Sequence, residues 1–473
     1  MSINSLYPLL FNPSSHPFAI DDKGETYSYS ELADTVSKFA KLLEPRQLVF
    51  VLCENSIGSL VGIPSFIQNN VVPLLLNREL SNNFLVGLIE LYKPKYMYVP
   101  LDMQSEFSDW TMILKEFEYV LLAKMNHESS DLHDDLAMLL TTSGSTGSPK
   151  LVRLSYTNLI SNAIAIANYL KIMPSDRPIT TLPMNYSYGL SVINSHLLTG
   201  STIVLTKSSI VEKNFWDVFR MHEVTTLNGV PQTFELLKKM RFFRMTIPSL
   251  KTITQAGGRL AESTTEEFAS YCLEKDIDFF SMYGQTEASP RISYVPPSQI
   301  KRKIGSIGIP IPGGEMSLID DNGLLVTATN ESGELCYRGP NVFLGYAQSL
   351  NDLSKGDQSM GFLRTGDIAC RDNDGFYFIS GRKDRFLKIF GNRINLDELE
   401  KLMSNKDGES VCTGVEDLVD IYTTSSVDLS QIVDELAQIT GLNRIAFRAH
   451  SVKVIPRNSS GKILYSELKS ELM

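Results

Sequence analysis

Signatures of metal binding and of disulfide cross-linking are missing from this chain. Five cysteines (Cys53, Cys272, Cys336, Cys370 and Cys412) lie scattered along 473 residues, odd in number and never spaced CxxC. That pattern argues against a disulfide framework and a thiolate zinc site. The six histidines form no HxxxH or HExxH. No Lys/Arg-rich run occurs, and 44 basic against 54 acidic residues leave a net charge of −10. This is not the electrostatic footprint of a nucleic-acid or anionic-membrane binder. A local site for one phosphorylated small molecule stays open. The N-terminal MSINSLYPLL lacks the basic region and apolar core of a signal peptide. The uncharged stretch Asn55–Asn77 is broken by Pro64, Gln68, Asn69, Asn70 and Pro73. It predicts a helix, a turn and a buried strand rather than a membrane span. With 43% hydrophobic and 21% charged residues, the expectation is a folded, soluble, cytoplasmic enzyme. Its length corresponds to roughly three folding units.

Short apolar, β-branched runs alternate with helical patterns over most of the chain. Predicted strands are Leu48–Cys53, Val71–Leu76, Tyr119–Ala123, Ala137–Thr141, Ile179–Leu182, Thr202–Thr206, Thr225–Asn228 and Thr252–Gln255. Predicted helices include Thr157–Lys171, Phe215–His222 and Gln232–Met240, the first with a Thr157 cap and an apolar face of Leu159, Ile160, Ala163, Ile164, Ala167 and Leu170. Alternation of this kind predicts an α/β fold: doubly wound, mostly parallel sheets that bind ligands at the carboxyl ends of their strands. After about Pro296 the texture changes to short strands between Gly, Asn and Asp turns, a small β unit over about 297–383. Residues 384–473 carry their own elements: helices near Leu396–Met403 and Leu429–Thr440, strands near Leu418–Thr423 and through Val452–Ile455. The expected division is a large domain of residues 1–383 and a small α+β domain of residues 384–473.

The strongest local signal is TTSGSTGSPK, Thr141–Lys150, directly after the apolar LAMLL. Small hydroxyl residues and glycines give a loop whose backbone N–H groups approach an anion closely. It is not a P-loop: Gly144 and Gly147 are two residues apart, and Pro149 precedes Lys150. Alone, the segment reads equally well as a Ser/Gly turn of a β-hairpin. Further motifs follow in order: SMYGQTEA (Ser281–Ala288), TGD (Thr365–Asp367), GRKDRFLKIFGNRI (Gly381–Ile394) and RNSSGKI (Arg457–Ile463). Together, from about Thr26 to Lys462, they resemble the adenylate-forming superfamily of acyl-CoA synthetases, aryl-CoA ligases, carrier-protein adenylation domains and luciferases.

The resemblance implies a reaction in which a carboxylate attacks the α-phosphate of ATP, releases pyrophosphate, and passes its acyl group to a thiol. It implies that Thr142, Ser143, Gly144, Ser145, Thr146, Gly147 and Lys150 surround the β- and γ-phosphates. Tyr283, with Gly284 beside it, would stack on adenine; Thr286 would contact the α-phosphate; Glu287 would hold Mg²⁺. Asp367 would accept the ribose hydroxyls, although TGD also reads as hairpin chemistry. Arg382 would stand beside the ribose, although it also reads as a surface arginine of a charged run. Lys462 would bridge carboxylate and α-phosphate where transition-state charge peaks. Asp384 aligns with the hinge about which the small mobile C-terminal domain rotates. Gly391 would open the path of a pantetheine arm, or simply sit in a hairpin.

Leu182–Leu198 matches the acid pocket by the same resemblance. Tyr186 and Tyr188 would line its entrance, with core packing an equal alternative. Gly189 aligns where amino-acid-activating members carry an aspartate, and no acidic residue occurs between Asp176 and Glu212. The expected substrate is therefore a small-molecule carboxylic acid with an uncharged tail. Asn228, Gln255, Ala256, Gly257 and Gly258 would complete the pocket. The acceptor thiol is CoA or the arm of an acyl carrier protein; a non-catalytic adenylate-binding member is the third reading.

Overall fold

The computed structural model describes residues 6–10, 13–125, 131–141, 150–390, 392–403, 408–415, 417–457, 463–465 and 467–468. The chain divides into two compact units, residues 1–315 with 338–363, and residues 316–337 with 364–473.

An eight-stranded sheet dominates the first unit. Its order is Gly345–Ala347, Leu151–Ser155, Leu136–Thr141, Val72–Asn77, Leu48–Cys53, Tyr96–Pro100, Tyr119–Ala123 and Thr111–Glu116. The four central strands run parallel and the flanking pairs antiparallel. The centre is buried on both faces, so Leu48–Cys53 reads LVFVLC with every residue inside. The uncharged stretch forms the predicted helix (Ile57–Gln68), turn and buried strand (Val72–Asn77). A second sheet runs Thr226–Gly229, Thr252–Gln255, Asp278–Gly284, Arg291–Val295 and Ile309–Pro310, with its first three strands parallel. A third joins Ile203–Val204, Pro17–Ile20 and Thr26–Ser28. The fold is mixed α/β as expected, with parallel centres and antiparallel edges.

Four local expectations are corrected. Residues 179–182 form no strand; Pro178 and Ile179 make single bridges to Thr226 and Val204, and the predicted strand at 202–206 shrinks to Ile203–Val204. The helix expected from Thr157 spans Tyr156–Leu170 and is capped two residues earlier, by Ser155 in a capping box with Asn158. Its buried face also differs from the predicted one: Asn158, Asn162, Ala165, Ile166 and Tyr169 are inside, while Ile164, Ala167 and Leu170 are half-buried. The predicted last strand lies earlier, at Phe447–Ser451, where it pairs parallel to Leu418–Thr423.

The second unit contains the four-stranded sheet Glu315–Ile319, Ser332–Arg338, Phe362–Arg371 and Tyr377–Arg382. It also holds the hairpin Phe386–Ile389 with Asn392–Asn395, and a three-stranded sheet of Ser410–Val415, Leu418–Thr423 and Phe447–Ser451. Helices Leu396–Met403 and Leu429–Thr440 cover that sheet around a core of Leu399, Ile421, Ile432 and Leu436. All five cysteines are free. Among the described residues, no helix is long and apolar enough to cross a membrane.

One buried histidine couples this fold to pH. His196, on the helix Ser187–Thr199, is 1% exposed, and its Nδ1 lies 2.7 Å from the Val192 carbonyl. Burial holds its pKa down at about 4, against about 6.5 in the unfolded chain. The folded pKa is depressed, so the neutral ring stabilises the fold above about pH 6.5 and that contribution is lost as pH falls toward 4. His196→Gln is expected to flatten the decline of stability between these values by up to about 1.4 kcal/mol per pH unit. Denaturant titrations across the range check this; an unchanged slope refutes it.

Candidate active site

The expected phosphate loop, Thr142 to Gly147, lies outside the described residues, as do Gly391 and Lys462. The strands on either side of the loop pair antiparallel, with Thr141 opposite Leu151. Lys150 therefore leads into a strand, whereas a P-loop lysine leads into a helix.

The SMYGQTEA motif begins in the strand Asp278–Gly284 and continues into a short turn, Thr286–Ala288. Gly284 is dictated by a close approach: a Cβ there would stand 1.9 Å from the Pro290 carbonyl. The Tyr283 hydroxyl accepts a hydrogen bond from Gln285 Nε2 at 3.2 Å. The Thr286 hydroxyl lies 3.1 Å from that of Ser187, the first residue of the pocket helix. Glu287 Oε1 accepts the Tyr346 phenol at 2.7 Å. The Lys150 ammonium stands 3.4 Å from the centre of the same tyrosine ring. Glu287, Lys150 and Thr286 thus gather in the first unit.

Ser187, Asn341 and Tyr346 are the residues that sequence reasoning missed here. Asn341 is 1% exposed and donates to the Ala288 and Arg291 carbonyls at 2.6 and 2.9 Å. The visible signal was the segment GPNVFLGY, which reads as turn and strand chemistry only.

Among the described residues, no three His, Cys, Asp or Glu side chains cluster as a metal cage. A lone carboxylate with one oxygen taken by a neutral donor suits Mg²⁺, which is commonly held by one or two carboxylates plus substrate phosphates. It does not suit zinc.

The pocket residues divide by what they touch. Tyr188 is 2% exposed, and its hydroxyl lies 3.0 Å from the Thr254 carbonyl and 2.7 Å from the Thr254 hydroxyl. Packing accounts for Tyr188. Tyr186 is half-buried, with its hydroxyl over Gly257. Asn228 Oδ1 accepts from the Thr254 hydroxyl at 2.6 Å, while its buried Nδ2 meets no partner among the described residues. Gln255 donates to the Gly258 carbonyl at 2.8 Å, and Ala256 is buried between them and the strand end.

In the second unit, Asp367 and Arg382 face each other on paired strands, Asp367 Oδ1 accepting from Arg382 Nε at 3.2 Å. Asp367 is 4% exposed. Asp384 is exposed in the turn Lys383–Arg385.

Gly189 is explained by packing. A Cβ there would lie 2.3 Å from the Pro183 carbonyl oxygen. Gly189→Ala and Gly189→Asp are therefore expected to destabilise alike, by about 1–3 kcal/mol, in thermal or denaturant unfolding. An aspartate accommodated without loss would show that the wall has room for a side chain.

Comparison with known proteins follows this geometry. Residues 12–347 match the family described as AMP-binding enzyme. The 2-succinylbenzoate–CoA ligase of Bacillus subtilis is 26% identical over 466 residues, covering 94% of this chain and 93% of that ligase. The long-chain-fatty-acid–CoA ligase of Salmonella typhimurium is 30% identical over 472 residues, covering 91% of this chain and 80% of its own length. The solved structure of O-succinylbenzoate Coenzyme A synthetase (MenE) from Bacillus subtilis, in complex with ATP and magnesium ion, superposes with a TM-score of 0.79 at 23% identity, covering 98% of this chain and 99% of that one.

Proposed function

The chain belongs to the AMP-binding enzyme family and is an AMP-forming acid–thiol ligase; from that premise we propose that it joins a carboxylic acid without an α-ammonium group to CoA, by way of an acyl-adenylate. In the first half-reaction an acid oxygen bonds to the α-phosphorus of ATP, and the bond from that phosphorus to the bridging oxygen breaks, releasing pyrophosphate. In the second, the CoA sulfur bonds to the acyl carbon, AMP leaves, and the thiol proton passes to solvent. Positioning and charge stabilisation carry such chemistry.

The observation that carries this reading is the gathering of Glu287, Thr286 and Lys150 in one unit, joined through Tyr346 and Ser187. Thr286 takes the α-phosphate, and Lys150, with Thr142 to Gly147, takes the β- and γ-phosphates. Glu287 holds Mg²⁺, which when bound neutralises phosphate charge. Tyr283 and Gly284 receive adenine. Asp367 accepts the ribose hydroxyls, with Arg382 beside it. Lys462 stabilises the adenylation transition state, and Asp384 is the pivot of the segment that carries it.

The nature of the acid follows from charge. Arg291 is 2% exposed and stacks on Tyr188, its guanidinium carbon 4.0 Å from the ring centre. No acidic residue occurs between Asp176 and Glu212 to offset it. A substrate ammonium in the pocket lined by Tyr186, Asn228, Gln255, Ala256, Gly257 and Gly258 would find no acidic partner on the helix Ser187–Thr199. Support for CoA over a phosphopantetheinyl carrier comes from the two curated relatives, both CoA ligases.

Acid-dependent ATP–pyrophosphate exchange over a panel of aliphatic, aryl and amino acids tests the first half, and transfer to CoA or a loaded carrier the second. Simple carboxylic acids are expected to exceed every α-amino acid, and CoA to exceed the carrier. Lys462→Ala is expected to lower adenylate formation by about 10²–10³-fold, the scale of one transition-state charge stabiliser. It should barely affect thioester formation from supplied acyl-adenylate. Equal loss in both steps would refute the role given to Lys462.

A further inference from the structure

One residue stands between the two charges of the phosphate and metal site. The face of the Tyr346 ring carries the Lys150 ammonium at 3.4 Å, and its hydroxyl tip donates to Glu287 Oε1 at 2.7 Å. Sheet register fixes this placement. Tyr346 pairs with Val152 and Gly345 with Arg153, so the ring is brought beside the residue two before Val152. The Phe343 N–H donates to the Glu287 carbonyl at 2.9 Å, and the Phe343 ring packs edge-on against Tyr346 at 4.8 Å. A phenol keeps its proton at physiological pH, so the hydroxyl is a neutral donor to the carboxylate.

We propose that Tyr346 is the positioning residue of the metal site, holding the Glu287 carboxylate in the orientation that turns its second oxygen toward a divalent cation on ATP. The proposal rests on the role given above to Glu287. A neutral donor fixes the rotamer of the carboxylate without neutralising it, which a lysine or arginine in the same place would do. Hydrogen bonds to a ligating carboxylate commonly set metal affinity in this way. The ring face meanwhile gives Lys150 a weak cation–π contact that can be exchanged for a phosphate oxygen.

Two substitutions separate the two ends of the side chain. Tyr346→Phe keeps the ring and removes the hydroxyl; Tyr346→Leu removes both. Calorimetric titration of the full-length protein with ATP is run with Mg²⁺ and with the metal chelated, and thermal unfolding of each variant is recorded. Tyr346→Phe is expected to weaken Mg·ATP binding by about 10–100-fold, leave metal-free ATP binding unchanged, and unfold within a degree or two of the parent. Tyr346→Leu is expected to weaken both. An unchanged Mg²⁺ dependence in Tyr346→Phe overturns the proposal, as does an equal loss with and without metal, the mark of a merely structural role. Absence of any ATP binding in the parent protein would overturn the functional reading and this proposal together.

Discussion

The turn that carries Thr286 and Glu287 keeps its shape because segments distant in sequence satisfy its backbone. Asn341 donates to the carbonyls of Ala288 and Arg291, and Asn162 adds a second donor to Arg291 at 3.1 Å. The Ser289 hydroxyl returns a hydrogen bond to the Asn341 carbonyl at 2.9 Å. Asn158 in turn holds the carbonyls of Pro340 and Val342 at 2.8 and 2.7 Å. A buried carbonyl left without a donor costs about 1–3 kcal/mol, so each asparagine fixes a place in the chain as well as a bond. The helix Tyr156–Leu170 starts directly after the strand that follows Lys150. Its two asparagines therefore join the strand after Lys150 to the glutamate turn through one rigid element.

The same strand holds a fully buried arginine that forms no ion pair with a carboxylate among the described residues. Arg153 is 0% exposed. It donates to the carbonyls of Lys355, Leu344 and Gly356 and, at 2.8 Å, to Gln358 Oε1. Burial pulls its pKa down. A buried guanidinium satisfied by backbone carbonyls is costly to desolvate, and its planar fork suits several fixed acceptors at once. What it secures is the edge strand Gly345–Ala347 and the loop after it, and so the position of the Tyr346 ring. Loss of this side chain would take one shared donor from four acceptors at once.

Much of this was legible in the amino-acid sequence, for local reasons. Leu48–Cys53, Tyr119–Ala123 and Thr252–Gln255 are strands over the expected residues because each is a continuous buried run. The helices Leu396–Met403 and Leu429–Thr440 likewise follow from their spacing. The chain order of five motifs was enough to name the family. The missed features are non-local. Tyr346 reads as one more aromatic in a turn-rich stretch; its partner Glu287 is 59 residues away and comes into reach only through sheet topology. Asn158 and Asn162 lie off the apolar face that the helical period picks out, and nothing in that period shows that Asn158 meets the carbonyls of Pro340 and Val342 or Asn162 that of Arg291. Residues 179–182 read as a strand by composition, yet only Pro178 and Ile179 find bridging partners.

In the second unit Arg385 is half-buried between two carboxylates, its Nε 2.5 Å from Asp397 and its Nη2 2.5 Å from Glu400. Its Nη1 donates to the Cys412 carbonyl at 3.0 Å, and its guanidinium carbon stands 4.4 Å from the centre of the Tyr465 ring. Glu400 also accepts the Cys412 N–H at 2.7 Å. One side chain thus ties the turn Lys383–Arg385 to the helix Leu396–Met403, to the strand Ser410–Val415 and to Tyr465, three residues beyond Lys462 in the sequence. Loss of the guanidinium would remove the cation that stands between Asp397 and Glu400 and leave the two carboxylates to repel each other. The turn, the helix and the strand are therefore held as one packed group within the second unit.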